Sequence, residues 1–519
     1  MDRRRLGVVV SVLMGAGVIA AMAMDSIAVA AGAPPPCEVI DLTPSVHTTS
    51  STLQDAVNLA NPGDSLRVMG TCSGDTTINE NLTITGRSNA TFGVATLVGA
   101  GTGSVVTIAP AVTLKISRLV ITGGAASSGG GINNSGTLTL NDSTVASNTA
   151  TFYGGGIYNN TGAALTLDDS TVATNKAFVD NGGGIYNKGT LLKVSHSTFT
   201  GNHAGFYGGG IANFSGTGTL SHSTLTANSA GFGGALYNNG TLTLTDSTAG
   251  TNTVTQYGGG IYNSGPSLTL DNSTVTGNHG VFGGGIYNTF SGAVTLTKHS
   301  SVTANHATTG GGINNNGTVT LTHHSTVTGN SAALLGGGIY NTGTGTLSDA
   351  SVTSNTAVSG GGIANAFGHS LTLTDSNVAK NAATLLGGGI FNTAGASLTL
   401  NDSNVESNSA ATGGGIANYS SGTVTLTDSS VRSNTASVNG GGIAVSTGTV
   451  ALTESSVRSN TASANGGGIS IATGTVTLTD SSVRENTATI DGGGVFNVAG
   501  VLNLVGSSKV SGNTVDDIS

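Results

Sequence analysis

Fifteen times between Gly129 and Asn513 the chain repeats a unit of about 26 residues. One copy runs Gly154-Gly155-Gly156-Ile157-Tyr158-Asn159, then Leu165-Thr166-Leu167, then Ser170-Thr171-Val172, then Asn175. The apolar residue after the glycines marks each copy, from Ile132, Ile157 and Ile185 through to Ile469 and Val495, and successive marks lie 24 to 28 residues apart. A fixed period of this length is the signature of a solenoid, in which each unit packs only on its neighbours. Such a stack supplies a long surface; the period alone does not say what that surface binds.

The repeat overrides the length prior, which would divide 519 residues into about three domains. Composition agrees with one continuous stack: 84 Gly, 37% hydrophobic residues in register, and only 8% charged residues. Disordered chains combine low hydrophobicity with high charge, so disorder is excluded. The net charge of −9 argues against nucleic acid as a partner, which calls for clustered Lys and Arg.

Residues 1–30 read as an export signal: Arg3-Arg4-Arg5, an apolar run from Leu6 to Met24, and Ala28-Val29-Ala30 as a small-x-small cleavage site. The competing reading is an uncleaved anchor. No other stretch is long and apolar enough to span a membrane as a helix. Cys37 and Cys72 are the only two cysteines, and in an oxidising compartment they are expected to form a disulfide. Lipid attachment at Cys37 is the alternative, but Pro34-Pro35-Pro36 does not resemble a lipoprotein box.

Residues 31–111 are expected to form an N-terminal cap and the first irregular coils, and residues 112–519 the repeat domain. Leu53, Ala56, Val57 and Ala60 have helical apolar spacing, and Asn61-Pro62-Gly63-Asp64 ends the segment as a turn. A helix there would cover the open end of the stack, which otherwise exposes core and unpaired strand edge. Each regular unit holds three strand-like pieces and no helical stretch. Alternation such as Leu242-Thr243-Leu244 puts one face in and one face out. The expected fold is all-β: a right-handed parallel β-helix of about 15 regular coils, three short strands per coil.

The paired Gly-Gly-Gly-Ile and Val-x-x-Asn motifs resemble the repeats of polymorphic outer-membrane proteins, with Gly233-Gly234-Ala235-Leu236 and Phe199-Thr200-Gly201-Asn202 nearest the family pattern. The resemblance covers residues 129–513, about three quarters of the chain, and implies a right-handed β-helix. Family members with adhesin roles end in a membrane β-barrel; here Ser519 lies six residues after Asn513, so no barrel is expected. The N-terminal segment more loosely resembles the cap of β-helical carbohydrate-active enzymes.

Equivalent residues of a stack form columns. Asn148, Asn175, Asn202, Asn228, Asn278 and Asn305 belong to an unbroken asparagine column that reads as a structural ladder. A second asparagine column, from Asn134 onward, is replaced by Val445 and Ile471, which suggests an inward position. The glycine triplets mark a crowded corner or positive φ. Tyr158, Tyr186, Tyr237, Tyr262 and Tyr287 are expected to point outward as a half-exposed stripe, able to stack on sugar rings or form a protein interface; mutual ring stacking is the bland reading. An outward threonine array, including Thr166, Thr243 and Thr425, resembles that of ice-binding solenoids. An acidic column including Asp142, Asp169 and Asp246 reads as Asx turns, with cation attraction as the alternative.

A β-helical lyase or hydrolase would need converging acids. Asp168, Asp169 and Asp180, with Lys176 between them, form the sole candidate catalytic cluster. No metal site and no cofactor are expected. The reading is a secreted or cell-surface scaffold, non-catalytic and monomeric, for adhesion or binding of an extracellular glycan or surface protein. A polysaccharide-active enzyme is the runner-up and ice binding the third reading.

Overall fold

In Leu165-Thr166-Leu167 the leucines are buried and the threonine is not, and this alternation recurs in the regular coils of the computed structural model up to the last, Val501–Val505. The structure describes residues 37–43 and 48–519; the proposed export signal and Pro34-Pro35-Pro36 lie outside them. Each coil places a five-residue strand such as Ala164–Asp168 in one long parallel sheet, a three-residue strand such as Thr171–Ala173 in a second, and a three-residue strand such as Ile157–Asn159 in a third. Register is kept residue for residue: Leu165 faces Leu192, Val172 faces Phe199, and Ile157 faces Ile185 in the next coil. Leucines of the long sheet, valines of the second and isoleucines of the third meet in one continuous core. The fold is a right-handed parallel β-helix of about 17 turns.

Two coils precede the fifteen that the period marks, within the segment expected to hold irregular coils. Thr76–Ile78 pairs in register with Val106–Ile108, and Val106–Ile108 with Ile132–Asn134, although neither strand follows a glycine triplet. Buried Ile78, Val106 and Ile108 do the packing, so the coil persists where the motif is absent. A fourth short strand is added in most coils, such as Thr149–Tyr153, forming a 6-stranded and an 8-stranded ladder separated at the coil of His279. Its residues lie between the asparagine column and the next glycines, where composition looked like turn.

The first coil is covered as its apolar spacing requires. The helix Leu53–Leu59 starts at Thr52, whose hydroxyl accepts the Asp55 N–H, and buries Leu53, Ala56 and Val57 in the shared core. Glu38–Asp41 pairs antiparallel with Ser65–Met69, so the first edge of the long sheet is occupied. Cys37 and Cys72 are joined by a disulfide that ties this segment to the first coil. In the last coil Val501, Leu504 and Val505 are exposed. Among the described residues no helix is long and apolar enough to cross a membrane.

Candidate functional site

Three internal ladders hold the surface columns in place. Asn175 Nδ2 donates to Asn202 Oδ1 at 3.1 Å and to the Val145 carbonyl at 2.8 Å, and this pattern continues to Asn513. The second column links Asn159 to Asn187 at 2.7 Å and ends at Asn418, where Val445 and Ile471 are buried in its place. The third ladder is serine, which sequence reasoning missed because Ser after Asp reads as a turn. Ser143 N–H donates to Ser170 Oγ at 3.2 Å, and Ser170 N–H to Ser197 Oγ at 3.0 Å.

Left-handed geometry falls one residue before the ladder asparagines, at Ser147, Thr174 and Ala227, and not on the asparagines themselves. A ladder asparagine spends its amide on neighbouring coils, so the residue before it makes the bend. The acidic column is left-handed, with φ of 47° at Asp142, 47° at Asp169 and 49° at Asp246, but the expected Asx turn does not form: the N–H two residues on is taken by a carbonyl of the preceding coil, as Thr171 N–H donates to the Ser143 carbonyl at 2.8 Å. At the glycine corner both causes operate. Gly154 holds φ of 62°, and a Cβ on Gly155 or Gly156 would lie 2.5 to 2.6 Å from neighbouring backbone.

Asp168, Asp169 and Asp180 do not converge. Asp168 ends a long-sheet strand and Asp169 makes the next corner. Asp180 lies beyond two further strands, Thr171–Ala173 and Lys176–Ala177, in an outer loop where its carboxylate, beside the Tyr153 hydroxyl, raises that phenol's pKa. Eleven residues in sequence correspond to two corners of the coil, so the expected three-acid cluster is corrected to two separate groups. Asp168 instead accepts from Ser195 at 2.5 Å and faces His196 at 3.4 Å; the Ser195 hydrogen bond, then that of His196, pulls its pKa below the ordinary carboxylate value. Asp168, Asp169 and His196 bring donor atoms within 4.8 Å of one another, all at the surface. Lys176 leans over Phe178, 4.4 Å from the ring centroid.

The tyrosine stripe is more deeply packed than strand alternation implies. Tyr186 and Tyr237 are only 5% and 6% exposed. Aromatics preceding the glycines fold back over them: Tyr153 lies 4.8 Å from Tyr186, and Tyr207 lies 4.3 Å from Tyr237, centroid to centroid. Burial raises the phenol pKa of Tyr158, Tyr186, Tyr237, Tyr262 and Tyr287. Where Ala212 interrupts the column, Phe214 fills the gap, 5.5 Å from both Tyr186 and Tyr237. Over these coils the column tyrosines stack on neighbouring rings, while Phe152, Phe178 and Phe206 beside them stay exposed.

Asn314 interrupts the same column between Tyr287 and Tyr340, and no ring replaces the missing one. The result is a hollow of about 420 Å³ walled by Tyr257, Phe282, Tyr287, Phe290, Tyr340 and Phe367. Phe290 is 82% exposed and Phe367 65% exposed, so both rings offer open faces. The floor is polar. Asn316 donates to the Tyr287 hydroxyl at 2.8 Å and accepts from Thr342 at 2.5 Å, and Asn314 donates to Thr309 at 3.1 Å. Tyr287 and Tyr340 of the aromatic column, and Tyr257 and Phe282 from the positions before the glycines, line this hollow. Phe290 and Phe367 sit in turns outside the repeat motif, so no column pointed to them.

Residues 128–305 match a family model described as a right-handed β-helix region. The chain is a right-handed parallel β-helix repeat protein. No curated protein matches it. The β-helix is a general repeat scaffold, and its functional content rests on the surface groups just described.

Proposed function

We propose that this protein is an extracellular or cell-surface adhesion scaffold that binds glycan in the hollow centred on Asn314. The observation that carries the reading is the unfilled gap in the aromatic column, with Tyr287 and Tyr340 on either side and a hydrogen-bonding floor. Aromatic faces pack against the C–H faces of sugar rings, and amide and hydroxyl groups orient the sugar hydroxyls. A volume of about 420 Å³ lies within the range of small-ligand sites, and one to two sugar units would occupy it. The export-like residues 1–30 and the resemblance to polymorphic outer-membrane repeats support an extracellular setting.

The deciding experiment is retention of the purified chain on a panel of plant, microbial and host polysaccharides, beside an Asn314→Tyr variant. That substitution restores a ring to the column and closes the hollow. Retention by the parent and its loss in the variant, at unchanged thermal stability, is the expected result. Equal retention would remove the hollow from consideration, and release of soluble oligosaccharides would move the reading to a polysaccharide-active enzyme.

A further inference from the structure

Arg67, Arg87 and Arg118 line one hollow of about 500 Å³ in the first coils, completed by Thr85, Gly86 and Ser88. Beyond residues 1–30 the chain has six arginines, and three of them meet here. The register explains why. Arg67 faces Thr85 on the long sheet, and Thr85 faces Ser117, which puts Arg118 at the following corner. Arg87 leaves the strand that carries Thr85, its N–H bonded to the Val68 carbonyl. The Arg118 backbone presses against Gly86, where a Cβ would lie 1.9 Å from the Arg118 carbonyl oxygen. Arg118 has φ of 56°, so the corner column that later carries Asp142 and Asp169 begins with a cation.

No carboxylate lines this hollow, and none of the three arginines forms an ion pair among the described residues. Arg432 and Arg484, by contrast, are paired with Glu406 and Glu485. In a chain of net charge −9, an unpaired arginine trio is a local reversal of sign. We propose that this hollow binds the phosphate or sulfate ester of a sugar. Guanidinium forks donate in pairs to oxyanions, and three of them together suit a tetrahedral group better than a planar carboxylate. The volume exceeds what an oxyanion alone needs, and the Thr85 and Ser88 hydroxyls supply partners for a hydroxylated carrier. The site lies on the long-sheet side of the first coils and does not depend on the aromatic hollow.

Titration calorimetry of the purified full chain at low ionic strength tests this, with glucose 6-phosphate, glucose 6-sulfate, inorganic phosphate and glucose as probes. Saturable binding of an ester, weaker binding of inorganic phosphate, none of glucose, and weakening with added salt are expected. Arg87→Gln changes an exposed side chain and is expected to lower affinity severalfold; Arg67→Gln with Arg118→Gln is expected to lower it at least tenfold. Tyr287→Ala is expected to leave it unchanged, which separates this site from the aromatic one. Absence of ester binding, or equal affinity in Arg87→Gln and the double variant with unaltered circular dichroism, would overturn the site. Inorganic phosphate binding as tightly as the esters would overturn the sugar carrier.

Discussion

Asn305 Oδ1 accepts twice from Asn278: from its backbone N–H at 2.9 Å and from its side-chain Nδ2 at 2.9 Å. Asn278 Nδ2 also donates to the Ala249 carbonyl at 3.0 Å, so one buried side chain ties three successive coils. Alanine at this position leaves buried groups unpartnered, at about 1–3 kcal/mol each. Asn278→Ala is therefore expected to lose about 2–4 kcal/mol, read from the urea unfolding midpoint and slope. Asn418→Val, beside the naturally apolar Val445 at a ladder end, is expected to lose less than half as much. Equal losses would contradict the ladder as the source of stability.

Two glycines separate steric crowding from backbone strain. A Cβ on Gly259 would lie 2.3 Å from the Gly284 carbonyl oxygen, and no flexible side chain can yield there. Gly277 has φ of 62°, but its nearest neighbour would be the Thr251 methyl at 3.5 Å, and Ala227 and Ala304 occupy the same column at positive φ. Gly277→Ala is expected to cost about 1 kcal/mol, and Gly259→Ala substantially more. Thermal melts of the two variants give the comparison.

Asp168 accepts the Ser195 hydroxyl, so its folded-state pKa lies below the unfolded value of about 3.9. Its contribution to stability is present above the unfolded value and is lost as pH falls through the lower, folded one. Solvent exposure keeps that contribution small. Carboxyl-carbon NMR titration is expected to place Asp168 below about 3.9, and Ser195→Ala to raise it. An unchanged titration in Ser195→Ala would show that the hydrogen bond is not the cause.

The Cys37–Cys72 bond closes a sequence separation of 35 residues between the start of the described chain and the first coil. Chain-entropy arguments assign such a loop about 3–4 kcal/mol. In a solenoid that stabilisation acts locally. Reduction is expected to speed amide exchange in Ser65–Met69 and Leu53–Leu59 and to leave the coils beyond Asn228 unaffected. Uniform acceleration along the stack would mean that the cap controls the whole solenoid.

Much of the fold was legible because a stack repeats its own packing problem. Ile157 predicts Ile185 and Ile211, and an unbroken asparagine column has little explanation other than contact between neighbours. The coils of Ile78 and Ile108, expected as irregular ones ahead of the regular fifteen, bury the same apolar faces without the glycine signature. The serine ladder escaped because Ser170 looks, in isolation, like the second residue of an Asp-Ser turn.

The sites were less legible. Columns report what lies above and below a residue, not what folds across from another corner. Tyr153 and Tyr207 cover Tyr186 and Tyr237 because the fourth ladder turns back over the third sheet, a relation the period does not encode. Asp180 parts from Asp168 for the converse reason, since two strands and two corners intervene.

By itself, then, the amino-acid sequence determined a parallel β-helix, its inward leucine, valine and isoleucine stripes, and its asparagine ladder, because all of these follow from contacts between identical positions one coil apart. Only the tertiary structure decided which aromatics are covered, that the gap at Asn314 stays open, and that Arg67, Arg87 and Arg118 meet. Those outcomes depend on side chains from different corners and irregular turns competing for the same space, and no repeat period contains that information.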